Sequence, residues 1–149
     1  MNDKEELLEK LREANAIIGY SSMGDEPDVH DFLLENKILN AGRSIIADKD
    51  ISPHDFASSL LKAHADEKVC VLIPGREFDT FGTRHGRGGG WYDRFLKELP
   101  SSWPRIGVLN ASQLSEEKLK REPWDEPVDY LLIIEKDSWN ILTTNSRKI

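Results

Sequence analysis

Val69-Cys70-Val71-Leu72-Ile73 runs directly into Pro74-Gly75-Arg76-Glu77-Phe78-Asp79-Thr80-Phe81-Gly82-Thr83-Arg84-His85-Gly86-Arg87-Gly88-Gly89-Gly90-Trp91-Tyr92, and the architecture follows from this segment. Five consecutive apolar residues suit a central parallel strand that is covered on both faces. Working outward, Ala16 to Tyr20 and Ser44 to Ala47 are short apolar runs upstream, and Ile106 to Leu109 and Tyr130 to Ile134 follow downstream. Each reads as a further strand. Trp139 to Leu142 adds a sixth, expected at an edge and antiparallel. Helical spacing fills the gaps. Lys4 to Ala14 places Leu7, Leu8 and Leu11 on one side, with Asp3 and Glu6 in a capping-box pattern. Pro27 suits a first helical position ahead of Phe32, Leu33, Ile38 and Leu39. Ser52-Pro53 opens another helix with Phe56, Leu60, Leu61 and Ala63 facing inward, and a fourth runs from Tyr92 to Leu99. Strands that alternate with helices predict an α/β fold: a three-layer, mostly parallel open sheet with helices on both faces. Residues 1–149 are expected to form one such domain. The charged segment Ser115 to Asp125 reads as a solvated surface helix and loop.

Composition narrows the function. Of the 149 residues, 38% are hydrophobic and 32% charged, which is the balance of a protein that builds a core and wets its surface. Twenty Lys and Arg face twenty-seven Asp and Glu, so the net charge of -7 opposes general binding to a nucleic-acid backbone. No stretch reaches the roughly 20 apolar residues of a membrane span, and Met1 to Asn15 carries no apolar core of a signal peptide. A cytoplasmic location is expected, without nucleic-acid or membrane partners. Cys70 is the only cysteine. It excludes a disulfide framework and any multi-cysteine zinc site, and within its apolar run it is expected to be a buried, inert thiol. His30, His54 and His64 lack metal-ligand spacing and are expected to be solvated.

The segment after the central strand carries the chemistry. In an open parallel sheet, ligands bind beyond the carboxyl ends of the strands. Gly86, Gly88, Gly89 and Gly90 let the backbone adopt positive φ and bring N–H groups close to a ligand. They lead into a helix start, where unpaired donors attract phosphate. Arg84, Arg87 and Arg94 against Asp93 leave a local positive cluster, and arginine can grip phosphate through two parallel hydrogen bonds. Two familiar phosphate loops are excluded by spelling. A G-x-G-x-x-G starting at Gly86 would need glycine where Trp91 stands, and no Gly-Lys-Ser/Thr triple occurs. On composition alone, a glycine-rich surface turn remains the alternative to a phosphate site.

The spelling is more specific than its composition. Ile73-Pro74-Gly75, Phe78-Asp79, Gly82, Arg84, Gly86 and Gly88-Gly89-Gly90-Trp91-Tyr92-Asp93-Arg94-Phe95-Leu96 resemble the signature of the 5-formyltetrahydrofolate cyclo-ligase (5,10-methenyltetrahydrofolate synthetase) family. Ile106-Gly107, Gln113-Leu114, Trp124-Asp125 and Val128-Asp129 continue the resemblance in order. Gly19 to Met23 with Glu26 resembles the family's strand and turn leading to a glutamate. The resemblance implies the cyclo-ligase (NagB-RpiA-CoA transferase-like) fold, in a shortened member. It also implies a reaction: ATP phosphorylates the formyl oxygen of 5-formyltetrahydrofolate, N10 attacks the activated carbon, and phosphate leaves to give 5,10-methenyltetrahydrofolate.

By the same resemblance, Arg84, His85, Gly86, Arg87, Gly88, Gly89, Gly90, Trp91 and Tyr92 bind ATP, with Arg84 and Tyr92 catalytic. Asp93 and Asp125 hold Mg²⁺. Glu26, Arg87, Gly88, Gly89, Gly90 and Trp91 contact the reduced folate. The oligomer is expected to be a monomer or homodimer. Each residue also has a plainer reading. Trp91 could serve packing, Asp79 could cap a turn, Asp129 could be a strand-end carboxylate, and His85 an exposed loop histidine. The family's N-terminal Lys-x-x-Leu-Arg helix finds only a partial echo in Lys10-Leu11-Arg12. A second reading therefore stands beside the enzyme: a non-catalytic nucleotide- or phosphate-binding module derived from this family.

Overall fold

The structure, a computed structural model, describes residues 2–24, 26–38 and 44–144. Helix α1 spans Asp3–Glu13 and leads into strand β1 (Ala16–Gly19); α2 (His30–Glu35) and β2 (Ser44–Ile46) follow, then α3 (Pro53–His64) and β3 (Val69–Ile73). A hairpin of β4 (Glu77–Phe78) and β5 (Arg84–His85) precedes α4 (Trp91–Lys97), and β6 (Arg105–Leu109), β7 (Tyr130–Ile134) and β8 (Trp139–Thr143) complete the chain. The six longer-range strands form one sheet in the order β2-β1-β3-β6-β7-β8. All its pairings are parallel except β7 with β8. The expected α/β architecture is therefore present, including the antiparallel edge.

Alternation along the strands sorts the core into two layers, because successive side chains leave a strand on opposite faces. Val69, Val71 and Ile73 pack with Phe56, Leu60, Phe95 and Leu96 of α3 and α4. Cys70 and Leu72 point the other way, to Leu7 and Leu11 of α1 and Phe32 and Leu33 of α2. All five β3 residues are buried, as an apolar run between two helical layers must be. Cys70 is buried as expected, its Sγ donating to the Lys10 carbonyl at 3.6 Å.

Several local expectations need correction. The α1 cap is Asn2, whose side chain accepts from the Glu5 amide; Asp3 is already helical. Helix α2 starts at His30 instead of Pro27, after the Asp28 carboxylate accepts from the His30 amide. Ile38 is buried just past that helix, and Leu39 lies outside the described residues. On α3, Ser52 caps and Pro53 opens the helix as expected, but Ala63 is exposed and Ala57 takes its place in the core. Ser115 to Asp125 holds no helix. It is an irregular strap tied to the β4–β5 hairpin.

Asp79 anchors that strap. Its buried carboxylate accepts from the Phe81 and Thr83 amides at 3.0 and 2.9 Å and from the Leu119 amide at 2.8 Å. Arg121 adds bonds to Thr83 Oγ1 and the Phe81 carbonyl, both at 3.0 Å. The hairpin is pinned to the sheet by Phe78, which is fully buried. A Cβ on Gly107 would stand 2.5 Å from the Phe78 ring, so glycine there is what lets the hairpin seat on β6.

Candidate functional site

Strand order fixes where a ligand can enter. From β1 the chain crosses to β2 on one side, whereas from β3 it crosses to β6 on the other. The carboxyl ends of β1 and β3 therefore flank a topological switch point, where open sheets leave a crevice. A cavity of about 770 Å³ lies there, lined by Tyr20 after β1, Asp48 to Asp50 after β2, and Pro74 to Arg76 after β3. The Gly-rich loop, the start of α4 and the strap close it. Arg84, His85, Gly86, Arg87, Gly88, Gly90, Trp91, Tyr92, Asp93, Asp125 and Glu26 all line it. Among the expected site residues only Gly89 is outside the lining, and Arg94, exposed on α4, is not part of it either.

Gly88, Gly89 and Gly90 take φ of 101°, 80° and 66°. A Cβ at any of the three would meet nothing within 4 Å. These glycines therefore serve backbone shape, not close packing. Among the described residues, no amide of Gly86, Gly88, Gly89 or Gly90 donates to a protein acceptor. Helix α4 has only seven residues, so its dipole is weak.

Arg84 is buried, and its Nε donates to the Pro74 carbonyl at 2.6 Å. Its guanidinium lies 5.0 Å from the centroid of the Tyr92 ring. Burial lowers its pKa, opposed first by Asp93, yet a guanidinium stays charged at neutral pH. Burial pushes the Tyr92 hydroxyl up, so it stays protonated. The loop's own anchor is Gln113, whose Nε2 donates to the Gly75 carbonyl at 2.8 Å.

Arg87 and Glu26 bridge the cavity, Nε to Oε2, at 3.1 Å. Glu26 also accepts from the Met23 amide at 2.9 Å, which orients it. Trp91 does two jobs. Its ring packs against Phe56, Tyr92 and Phe95, and its Nε1 donates to the Ile51 carbonyl at 3.0 Å, while another part faces the cavity. His85 is half-buried, its Nε2 2.7 Å from the Lys120 carbonyl oxygen, so it holds the strap as well as lining the site. Asp129 accepts from the Arg105 amide, a structural role.

The two carboxylates expected to hold metal come from different elements. Asp93 sits on α4 and Asp125 on the strap. Asp93 Oδ1 accepts from the Glu126 amide at 3.0 Å, and Asp125 Oδ2 from the Glu122 amide at 2.8 Å. Each has its other oxygen without a hydrogen bond among the described residues. Burial raises the Asp93 pKa; the Glu126 amide and Arg84 oppose this, and the charge of Asp125 adds to it. No cluster of three or more His, Cys, Asp or Glu side chains among the described residues could hold a metal alone. Two hard oxygen donors do fit Mg²⁺, which takes one or two carboxylates and completes its shell with phosphate oxygens and water.

Some of the site was not foreseen. Asp48, Lys49, Asp50, Arg76 and Tyr20 also line the cavity, and Trp124, 66% exposed, stands at its rim. Their signal was position: each follows a strand end or lies on a loop beside one. The cations are Lys49, Arg76, Arg84 and Arg87; the carboxylates are Glu26, Asp48, Asp50, Asp93 and Asp125. The net positive cluster expected around the loop is thus offset by acids from the segment after β2 and from the strap. A lining so mixed suits an anion that brings its own cation.

Residues 51–134 match the model of the 5-formyltetrahydrofolate cyclo-ligase family. The chain belongs to that family. A 5-formyltetrahydrofolate cyclo-ligase of Mycoplasma pneumoniae is 29% identical over 102 residues, which covers 68% of this chain. That match spans 60% of the length of the relative. Two solved 5,10-methenyltetrahydrofolate synthetases share the fold at 22% identity. The Mycoplasma pneumoniae structure has a TM-score of 0.53, covering 88% of this chain and 87% of that one. The Aquifex aeolicus structure has a TM-score of 0.59, covering 96% and 84%. The cyclo-ligase resemblance of the loop is therefore shared by the whole sheet.

Proposed function

We propose that this cyclo-ligase family member binds ATP with Mg²⁺ and cyclises 5-formyltetrahydrofolate to 5,10-methenyltetrahydrofolate, as a cytoplasmic enzyme. The observation that carries the reading is the convergence of Arg84, Arg87, the glycine amides, Asp93 and Asp125 on one cavity at the switch point. Phosphoryl transfer asks a protein chiefly for positioning and charge neutralisation. Arg84 and the amides of Gly86 to Gly90 hold the phosphates of ATP. Tyr92, kept neutral by burial, donates through its hydroxyl and fixes the Arg84 guanidinium through its ring. Asp93 and Asp125 would hold the Mg²⁺, which supplies charge neutralisation at the phosphates when bound.

The γ-phosphoryl group moves to the formyl oxygen as ADP leaves, N10 attacks the activated carbon and gives up its proton, and inorganic phosphate leaves. Glu26 and Arg87, with Gly88 to Gly90 and Trp91, face the folate. Their mutual ion pair keeps both charges oriented before it arrives.

A second reading is favoured by one observation. Helix α1 packs on the sheet face away from α4, with Lys10 bonded to Tyr130 at 2.9 Å, so neither Lys10 nor Arg12 lines the cavity. A site without a cation from that helix could bind nucleotide without turnover. The test mixes the protein with 5-formyltetrahydrofolate, Mg²⁺ and ATP and follows absorbance of the methenyl product. A signal that disappears in Asp93→Ala supports the enzyme. Calorimetric ATP binding without product supports the binding module, and no response to either ligand overturns both.

A further inference from the structure

Lys49 follows β2 and reaches the same cavity. Its Nζ lies 5.7 Å from the centroid of the Tyr92 ring, the ring that also holds the Arg84 guanidinium at 5.0 Å. One aromatic ring thus gathers two cations from distant parts of the chain. Such a ring attracts each of them but leaves both charges in place. Tyr92 cannot supply a charge, because burial keeps its hydroxyl protonated.

Carboxylates share the cavity, and Asp93, Glu26 and Asp125 act on the charge of Arg84, but none of them takes a hydrogen bond from Arg84 or Lys49 among the described residues. Arg84 is 7% exposed and spends its Nε on the Pro74 carbonyl; its two terminal nitrogens have no hydrogen-bond acceptor among the described residues. Lys49 makes no ion pair among them. The neighbouring Asp48 is turned to the Asp50 amide, from which it accepts at 3.0 Å. A buried guanidinium with free donors and an exposed lysine near the same ring both offer N–H groups to an anion entering the cavity.

We infer that Lys49 is a phosphate-gripping residue of this cavity, and that Lys49 with Arg84 selects a polyphosphate tail over a single phosphate. The inference rests on the ATP reading above and adds a residue and a selectivity to it. The two cations stand on different elements, β5 and the segment after β2. A chain of phosphates can touch both at once, whereas a monophosphate satisfies one. Lysine acts as a flexible point charge and arginine as a fixed fork, so Arg84 sets the position and Lys49 follows the tail.

The test is calorimetry on the full chain with Mg²⁺-ATP, AMP and inorganic triphosphate, comparing wild type, Lys49→Met and Lys49→Arg. Lys49→Met is expected to bind ATP and triphosphate about tenfold more weakly and AMP within about twofold of wild type. Lys49→Arg is expected to restore most of the loss. Thermal melting checks that neither variant disturbs the fold. Equal ATP affinity in wild type and Lys49→Met overturns the inference while leaving the ATP reading intact. A Lys49-dependent grip on triphosphate, with no preference for ATP over it and no methenyl product, keeps the inference and removes that reading. Wild type that binds neither ATP nor triphosphate removes both.

Discussion

At Asp93 opposing influences meet on one carboxyl group. Burial raises its pKa, the Glu126 amide and Arg84 pull it down, and the charge of Asp125 pushes it up again; the result lies above the ordinary 3.8. The folded protein therefore holds this proton more tightly than the unfolded chain. Stability from Asp93 is present in acid and lost as pH rises from 3.8 through the folded value. Above that window the ionised group destabilises the fold, and Asp93→Asn removes the penalty. We expect the variant to keep or raise the apo Tm at neutral pH, while affinity for Mg²⁺-ATP falls at least about tenfold. Scanning calorimetry and titration calorimetry read the two effects separately. The proton also competes with the cation. In wild type, binding of Mg²⁺-ATP should fade, on lowering the pH from about 7 to about 4, earlier than an unperturbed aspartate would dictate. An acid limb at the ordinary aspartate value would contradict this.

At the scale of elements, the strap from Ser115 to Asp125 is the least obvious part. It carries Asp125 to the cavity, and Asp79 ties it down. Asp79→Asn keeps an oxygen for the Phe81 and Thr83 amides but presents an NH₂ to the Leu119 amide. Leaving this part-buried donor unsatisfied costs about 1 kcal/mol, the lower end for a buried group. We expect a lower Tm and weaker Mg²⁺-ATP binding together, since the freed strap no longer places Asp125. Sequence reading failed here for a physical reason. A run of charges without an apolar face gives no period, and this one is shaped by contacts with a hairpin far away in sequence. The hairpin itself escaped notice because two-residue strands cannot show alternation. In contrast, β3 was legible because burial on two faces needs an unbroken apolar run. The α3 start was legible because Ser52 and Pro53 act locally. The loop's place at the cavity was legible in its glycines and arginines, but that of Lys49 was not, since nothing around it in the chain marks a lysine as facing a cavity.

For the whole molecule, the sheet divides labour between its faces. Helices α1 and α2 cover one face, α3 and α4 the other, and the cavity is built on elements at the strand ends beside the second. Leu11 is fully buried under α1. Leu11→Ala should destabilise by about 2–5 kcal/mol, as large-to-small core changes do. Its effect on ATP affinity should stay within about twofold at temperatures where the variant is folded. Chemical denaturation and calorimetry on the same sample check this; a parallel loss of affinity would show that the two layers are coupled. Among the described residues no helix is long and apolar enough to cross a membrane.

The backbone N–H groups of Gly86, Gly88, Gly89 and Gly90, which find no acceptor among the described residues, have one more consequence. Facing solvent, they should trade deuterium almost as fast as a free peptide. An occupant that accepts from them would slow that trade sharply. The bend thus carries its own isotope clock, able to report seating without any label or any turnover.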